Sequence, residues 1–256
     1  MTTPTRFPGG FTQAATFQAL RNMGSEDPFY YHQFADDFDG NNANAYTETI
    51  TTAGTIANTP ADGGALLFTT NATTPLATDI AAIQLKAASF TYTQGKKLFY
   101  YTRVASGGVA NPAWLVGMIQ TTATPFTVVN GIYFSKATGS TTINLITVVA
   151  SVATTTPLTT LSTAFGTASA GASLDLSFEV SANGDVVVSA GINVSLTGAV
   201  LQSGTGANTP AFLCLTQCIT GLTLPTAILN PTIALQSGTA ASQTLQADFM
   251  LAAKER

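Results

Sequence analysis

The chain has 256 residues, a net charge of −4, and 9% charged against 45% hydrophobic side chains. That length buries a full core and suits one all-β domain, and the negative balance excludes nucleic acid as a partner, because phosphate backbones repel it. The longest apolar run, residues 143–153, is broken by Asn144, Thr147 and Ser151, well short of the ~18 residues of a membrane span. Between Lys136 and Lys254 there is no other Lys or Arg, and only Asp175, Glu179, Asp185 and Asp248 are acidic. An ordinary soluble surface is roughly 25–35% charged. Faces of hydroxyls, amides and methyls instead suit a structural β protein covered by copies of itself or by a larger assembly. The opening MTTPTRFPGG lacks the apolar core of a signal peptide, so the expectation is a soluble chain made in the cytoplasm.

Residues 1–33 read as an extended arm, ahead of a body at 34–256. Arg6, Phe7 and Phe11 stand in its first stretch. Residues 12–23, with Phe17, Leu20 and Arg21, then read as a short helix stopped by Gly24. A free arm would expose those apolar side chains, whereas an arm laid on a neighbour buries them, at about 1.5–3 kcal/mol for each Phe. Arg6, Phe7, Phe11, Phe17, Leu20 and Arg21 are therefore the expected assembly contacts.

The body shows a period of two. Residues 65–68, 98–102, 114–119, 131–134 and 143–149 read as strands. The clearest is 174–180, where Leu174, Leu176, Phe178 and Val180 face one side and Asp175, Ser177 and Glu179 the other. Asn183-Gly184 then predicts a two-residue type I′ hairpin turn into runs at 185–189 and 192–196. Residues 212–219, 232–235 and 244–251 complete roughly a dozen strands. Many short strands with little helix imply a two-sheet antiparallel jelly-roll sandwich.

Candidate chemistry is thin. Counted from Asp37, the residues Asp39, Asn41 and Glu48 fall at positions three, five and twelve of a calcium loop, but position six is Asn42 where Gly is required. A polar turn is the better reading. Asp175-x-Ser177-x-Glu179 is similar to the carboxylate strand of lectin-fold glycosidases. Residues four apart on a strand lie about 13 Å apart, whereas hydrolysis needs carboxyls about 5–5.5 Å or 6.5–9.5 Å apart. That pattern reads as a solvated strand face. His32, the one histidine, lies among aromatics and reads as packing. Trp114 sits in an apolar run and reads as core rather than as a sugar-stacking platform. Cys214 and Cys218, on one face of a strand, are too far apart for a disulfide and read as buried free thiols. The expectation is no enzyme, with no catalytic residue, metal or cofactor.

Several motifs occur in an order that resembles virion-associated proteins of tailed phages, the marine type especially. They are RFPGG at 6–10, Asp27-Pro28, Tyr31-His32, DDFD at 36–39, DGGALL at 62–67, GKKLFYYTR at 95–103, GIYF at 131–134 and DFMLAAKER at 248–256. The resemblance implies a concanavalin/laminin-G-like jelly roll on the phage head surface. Its implied role is capsid decoration, as a cement protein stabilising the outer shell. The alternative is a receptor- or glycan-binding module on a tail or head appendage. It implies the major capsid protein and sister copies as partners; a homotrimer fits best, because shell lattices offer three-fold positions. It brings no catalytic residues.

Overall fold

Strands form where apolar side chains alternate, and they pair into two eight-stranded antiparallel sheets. The computed structural model describes residues 31–39, 44–59, 64–86, 90–168, 171–193 and 213–256. The expected arm contacts Arg6, Phe7, Phe11, Phe17, Leu20 and Arg21, and the expected helix at 12–23, lie outside the described residues.

Sheet I runs β14 (Leu213–Ile219), β13 (Val186–Asn193), β12 (Ser173–Val180), β7 (Leu98–Ser106), β16 (Thr244–Glu255), β4 (Ala65–Thr69) and β3 (Thr55–Thr59), with β1 (Tyr31–Asp36) beside β16. Residues 31–33 are thus already paired within the body. Sheet II runs β11 (Val152–Pro157), β10 (Ile143–Val149), β9 (Gly131–Lys136), β8 (Ala113–Ile119), β15 (Ile228–Gln236), β5 (Ile80–Leu85) and β2 (Tyr46–Ile50). The short β6 (Phe90–Thr91) pairs with β15. Consecutive strands β8 to β11 and β12 to β14 form meanders, while the chain crosses between sheets from β4 to β5, β7 to β8 and β15 to β16. This is the wrapping expected of a jelly roll.

The core lies between the sheets. Leu174, Leu176, Phe178 and Val180 all face it, as the alternation predicted, and Trp114 is fully buried there. Phe178 stacks on Tyr100 at 5.5 Å and meets Phe134 of sheet II at 6.0 Å, which ties the two sheets together. His32 packs its ring 5.0 Å from Phe90. Lys136 also points inward and is buried. Its Nζ donates to the carbonyls of Ala110, Pro112 and Ala137, and burial pulls its pKa down to about 8.

Some elements escape the period-two pattern. β5 is buried on nearly every residue, so its sequence does not alternate. A helix, α1 (Thr159–Thr167), follows β11 in a Thr-rich stretch of low helix propensity. Leu161 and Phe165, one turn apart, anchor it in the core. The Ser162 hydroxyl donates to the Leu158 carbonyl and accepts from the Ile143 amide. The runs expected at 185–189 and 192–196 are one strand, β13, as far as the described residues extend.

The hairpin turns correct the expectation. The β12–β13 connection closes through Ser181 N–H to the Asp185 carbonyl and Gly184 N–H to the Ser181 carbonyl, with Gly184 at φ 89°. Three residues turn there, a type I turn ending in a left-handed Gly. Asn183 takes no positive φ, so Asn183-Gly184 is not a type I′ pair. Positive φ at both positions of a two-residue turn occurs instead at Ala150 (48°) and Ser151 (69°), between β10 and β11. Their amides are held by Asn130 Oδ1 and the Val129 carbonyl. Left-handed backbone is unfavourable for Ala and Ser. The double substitution Ala150→Asn with Ser151→Gly supplies the residue types such a turn favours. It is expected to stabilise the fold by about 1 kcal/mol, read as a rise in urea midpoint. A fall would mean that the native side chains carry contacts outweighing the strain.

Candidate functional site

Two strands set the outward side of sheet I. On β7, Leu98, Tyr100 and Val104 point to the core, which leaves Phe99, Tyr101 and Arg103 outside. On β16, Leu245 and Ala247 face the core, then Met250 and Ala252 do. The phase changes because the register slips between Ala247 and Phe249, so Asp248 is the extra residue of a β-bulge, a device that re-aims side chains. Past it, Phe249, Leu251 and Ala253 emerge beside β7. Phe99, Tyr101, Leu251 and Ala253 form a second apolar cluster, with Tyr31 and Phe249 against it.

Register places Arg103 directly between Asp175 of β12 and Phe249 of β16. Arg103 Nε donates to Asp175 Oδ1 at 2.7 Å, and Nη1 donates to Asp248 Oδ2 at 3.2 Å. The guanidinium carbon lies 5.7 Å from the centre of the Phe249 ring, and Tyr101 meets that ring edge-on at 4.5 Å. Burial opposes the Arg103 charge. The hydrogen bond and charge of Asp175, with Tyr101 and Asp248 adding less, outweigh it, so the pKa lies above its ordinary value. The Arg103 side chain is still 42% exposed, while Asp175 beneath it is buried.

The neighbouring row is small and polar. Ser177 Oγ donates to the Ser189 carbonyl at 2.9 Å. The Ser189 hydroxyl is buried and makes no hydrogen bond among the described residues. Gly191 lies next to Asp175 in the register. One row further, Lys97 Nζ meets Glu179 Oε1 at 3.0 Å. Asp175 and Glu179 therefore face away from the core as expected, but they are not a solvated face. Each is 3% exposed, because Arg103 of the adjacent β7 and Lys97 just before it reach across to them. The arrangement offers an aromatic ring and a positioned guanidinium, with both carboxylates engaged by cations rather than set as an acid and base across a bond.

The remaining candidates are dispersed. Asp36 accepts from the Phe38 amide and the Tyr46 hydroxyl, and burial with that carboxylate raises the Tyr46 pKa. Glu48 is exposed on β2. Asn41 and Asn42 of the calcium pattern lie outside the described residues, and no metal-ligating cluster occurs among the described ones. Cys218 is a free and exposed thiol, which corrects the buried reading; the Cys214 side chain lies outside the described residues. Cys218 sits on the edge strand β14, on the face away from the core. Alternation did not reveal Arg103, Asp175, Asp248 and Phe249 as a set, because they meet only through the pairing of distant strands.

No protein-family model matches the sequence, and a search of curated proteins finds no match. Solved structures do resemble the fold. One is a protein of unknown function from Shewanella oneidensis MR-1, at 13% identity over 88% of this chain and 87% of that one, TM-score 0.52. Another is arcelin-5, a lectin-like defense protein from Phaseolus vulgaris, at 8% identity over 89% and 100%, TM-score 0.52. An endo-1,3-beta-glucanase from Streptomyces sioyaensis is similar at 12% identity over 89% and 98%, TM-score 0.51. Likenesses this remote in sequence show the fold alone. The chain is an all-β, two-sheet antiparallel jelly roll of the concanavalin and lectin-like kind.

Proposed function

We propose that the chain is a non-catalytic glycan-recognition module working through the outer face of sheet I. The observation that carries this is Arg103, half-exposed, fixed by Asp175 and Asp248 and set over Phe249. A sugar presents an apolar C–H face to a ring and vicinal hydroxyls to planar polar groups, and binding sites combine apolar walls with a few placed polar atoms. The guanidinium is fixed in place, so little side-chain entropy is lost on binding. A lectin-like fold supports the reading only by analogy. The non-catalytic part rests on Asp175 and Glu179, each engaged by a cation.

The test is a screen of neutral oligosaccharides followed by calorimetry on the best binder. Arg103→Lys keeps the charge but loses the planar fork, and Phe249→Ala removes the ring. Each is expected to weaken binding about tenfold or more, roughly 1.4 kcal/mol, with folding retained by circular dichroism. No binder in the screen, or equal affinity in both variants, overturns the reading. Release of reducing sugar by the wild type overturns the non-catalytic part.

A second reading is favoured by the tract between Lys136 and Lys254, which holds no other base. Such a surface suits permanent cover, and the sequence resemblance supports capsid decoration of a tailed-phage head. On that reading the partners are the major capsid protein and sister copies in a homotrimer, contacted through the 1–33 arm. Imaging of particles carrying the labelled chain distinguishes the two. Label on the head lattice together with an empty glycan screen favours decoration.

A further inference from the structure

The edge of sheet II has a feature that neither reading uses. β11 pairs with β10 on one side and with no described strand on the other. Five of its six residues are exposed, Val152 at 72%. Ordering a backbone costs about 1–2 kcal/mol per residue, and this strand buries almost no apolar surface in return. The turn leading into it adds strain, since Ala150 and Ser151 are both left-handed. Strain of that kind persists where the surroundings enforce it. Here the β8–β9 loop does so through Asn130 and Val129, and Val129 is itself exposed beside the turn. The hairpin is thus tied to the β8–β9 loop and presents a row of backbone N–H and C=O groups that no described strand pairs. Edge strands ordinarily carry a Lys, an inward charge or a central Pro to block pairing. β11 reads Val-Ala-Thr-Thr-Thr-Pro and has no charge.

We propose that β11 pairs antiparallel with β11 of a second copy, about a two-fold axis at Thr154, and joins two copies of sheet II into one continuous sheet. The occupant follows from self-complementarity. Centred on Thr154, the register sets Thr154 opposite its own copy, Ala153 opposite Thr155, and Val152 opposite Thr156. β-Branched and hydroxyl pairs of this kind favour pairing. Pro157 lacks an N–H and falls just outside the paired stretch. Such an interface is isologous and closes at two copies. The other edges suit it less. β1 carries Asp36 and β2 carries Glu48, and self-pairing would bring like charges together. β3 and β14 are charge-free, but only two of the described side chains of each are exposed.

The experiment is sedimentation of the full chain across the micromolar range, with Thr154→Lys and Thr154→Cys beside the wild type. The wild type is expected to dimerise. Thr154→Lys places two ammonium groups face to face and is expected to raise the dimer dissociation constant about tenfold or more. Position 154 is exposed, so the dilute monomer should keep its circular dichroism spectrum and melting temperature. Opposed residues of an antiparallel pair have Cα atoms about 4.5–5.5 Å apart, within disulfide reach. Oxidised Thr154→Cys should therefore give a covalent dimer whose linked peptides map to position 154. A wild type that stays monomeric throughout overturns the proposal. So does a dimer that tolerates Thr154→Lys, or an oxidised Thr154→Cys with no linkage at 154.

Discussion

Phe178→Ala is expected to lower the unfolding free energy by about 3–5 kcal/mol. Phe178 is fully buried at the centre of β12, stacked on Tyr100 of its own sheet and touching Phe134 of the other. Removing the ring takes away apolar burial and both aromatic contacts at once. The cavity would lie among strands fixed by cross-sheet pairing, where little can collapse to fill it. Urea unfolding of wild type and variant reads the difference directly. The adjacent Glu179→Ala should cost less, since Lys97, left without its partner, is 31% exposed and can turn to water. A loss below about 1 kcal/mol for Phe178→Ala, less than an ordinary large-to-small core change, would mean that the sheets do not close on that ring.

The second large effect is on pH dependence, through Lys136. Its folded pKa is depressed to about 8 by burial, while an unfolded lysine titrates near 10.4. Below about pH 8 both states hold the proton and the cost of burying the charge is fully present. Between about pH 8 and 10.4 the unfolded state binds more protons than the folded one, so stability from this group rises with pH across that window. The rise is at most about 3 kcal/mol, and the three carbonyl acceptors reduce it because they favour the charged form. Lys136→Met should abolish this component. Urea unfolding at intervals from pH 7 to 10 should show wild-type stability gaining on the variant as pH rises. Parallel curves would mean that the carbonyl cage outweighs burial and the ammonium keeps its proton throughout.

The candidate site was legible only in pieces. Asp175 and Glu179 were visible as outward residues of an alternating strand, but nothing local announces that Arg103 and Lys97 lie beside them. In β16 the local pattern points the wrong way. Leu245, Ala247, Phe249, Leu251 and Ala253 alternate as if they shared one face. The bulge at Asp248 divides them, sending the first two to the core and the last three to the second apolar cluster on the outward side of sheet I. A single extra residue inverts every side chain beyond it, and where that residue sits depends on the partner strand. Asn183-Gly184 shows the same limit: a strong turn signal fixed that a turn occurs, while the closing hydrogen bonds fixed its length.

What the sequence by itself determined is the all-β class, the position of most strands, and the inward face of 174–180. Period-two alternation carries that information within a few consecutive residues. The two-sheet arrangement followed from the number and shortness of those strands. Only the tertiary structure decided that Arg103, Asp175, Asp248 and Phe249 meet, that three carbonyls enclose Lys136, that Cys218 is exposed, and that β11 has no described neighbour beyond β10 and follows a strained turn. Each depends on register between strands that pair across the sheet, and pairing energy is shared among residues distant in sequence. Local composition does not encode it.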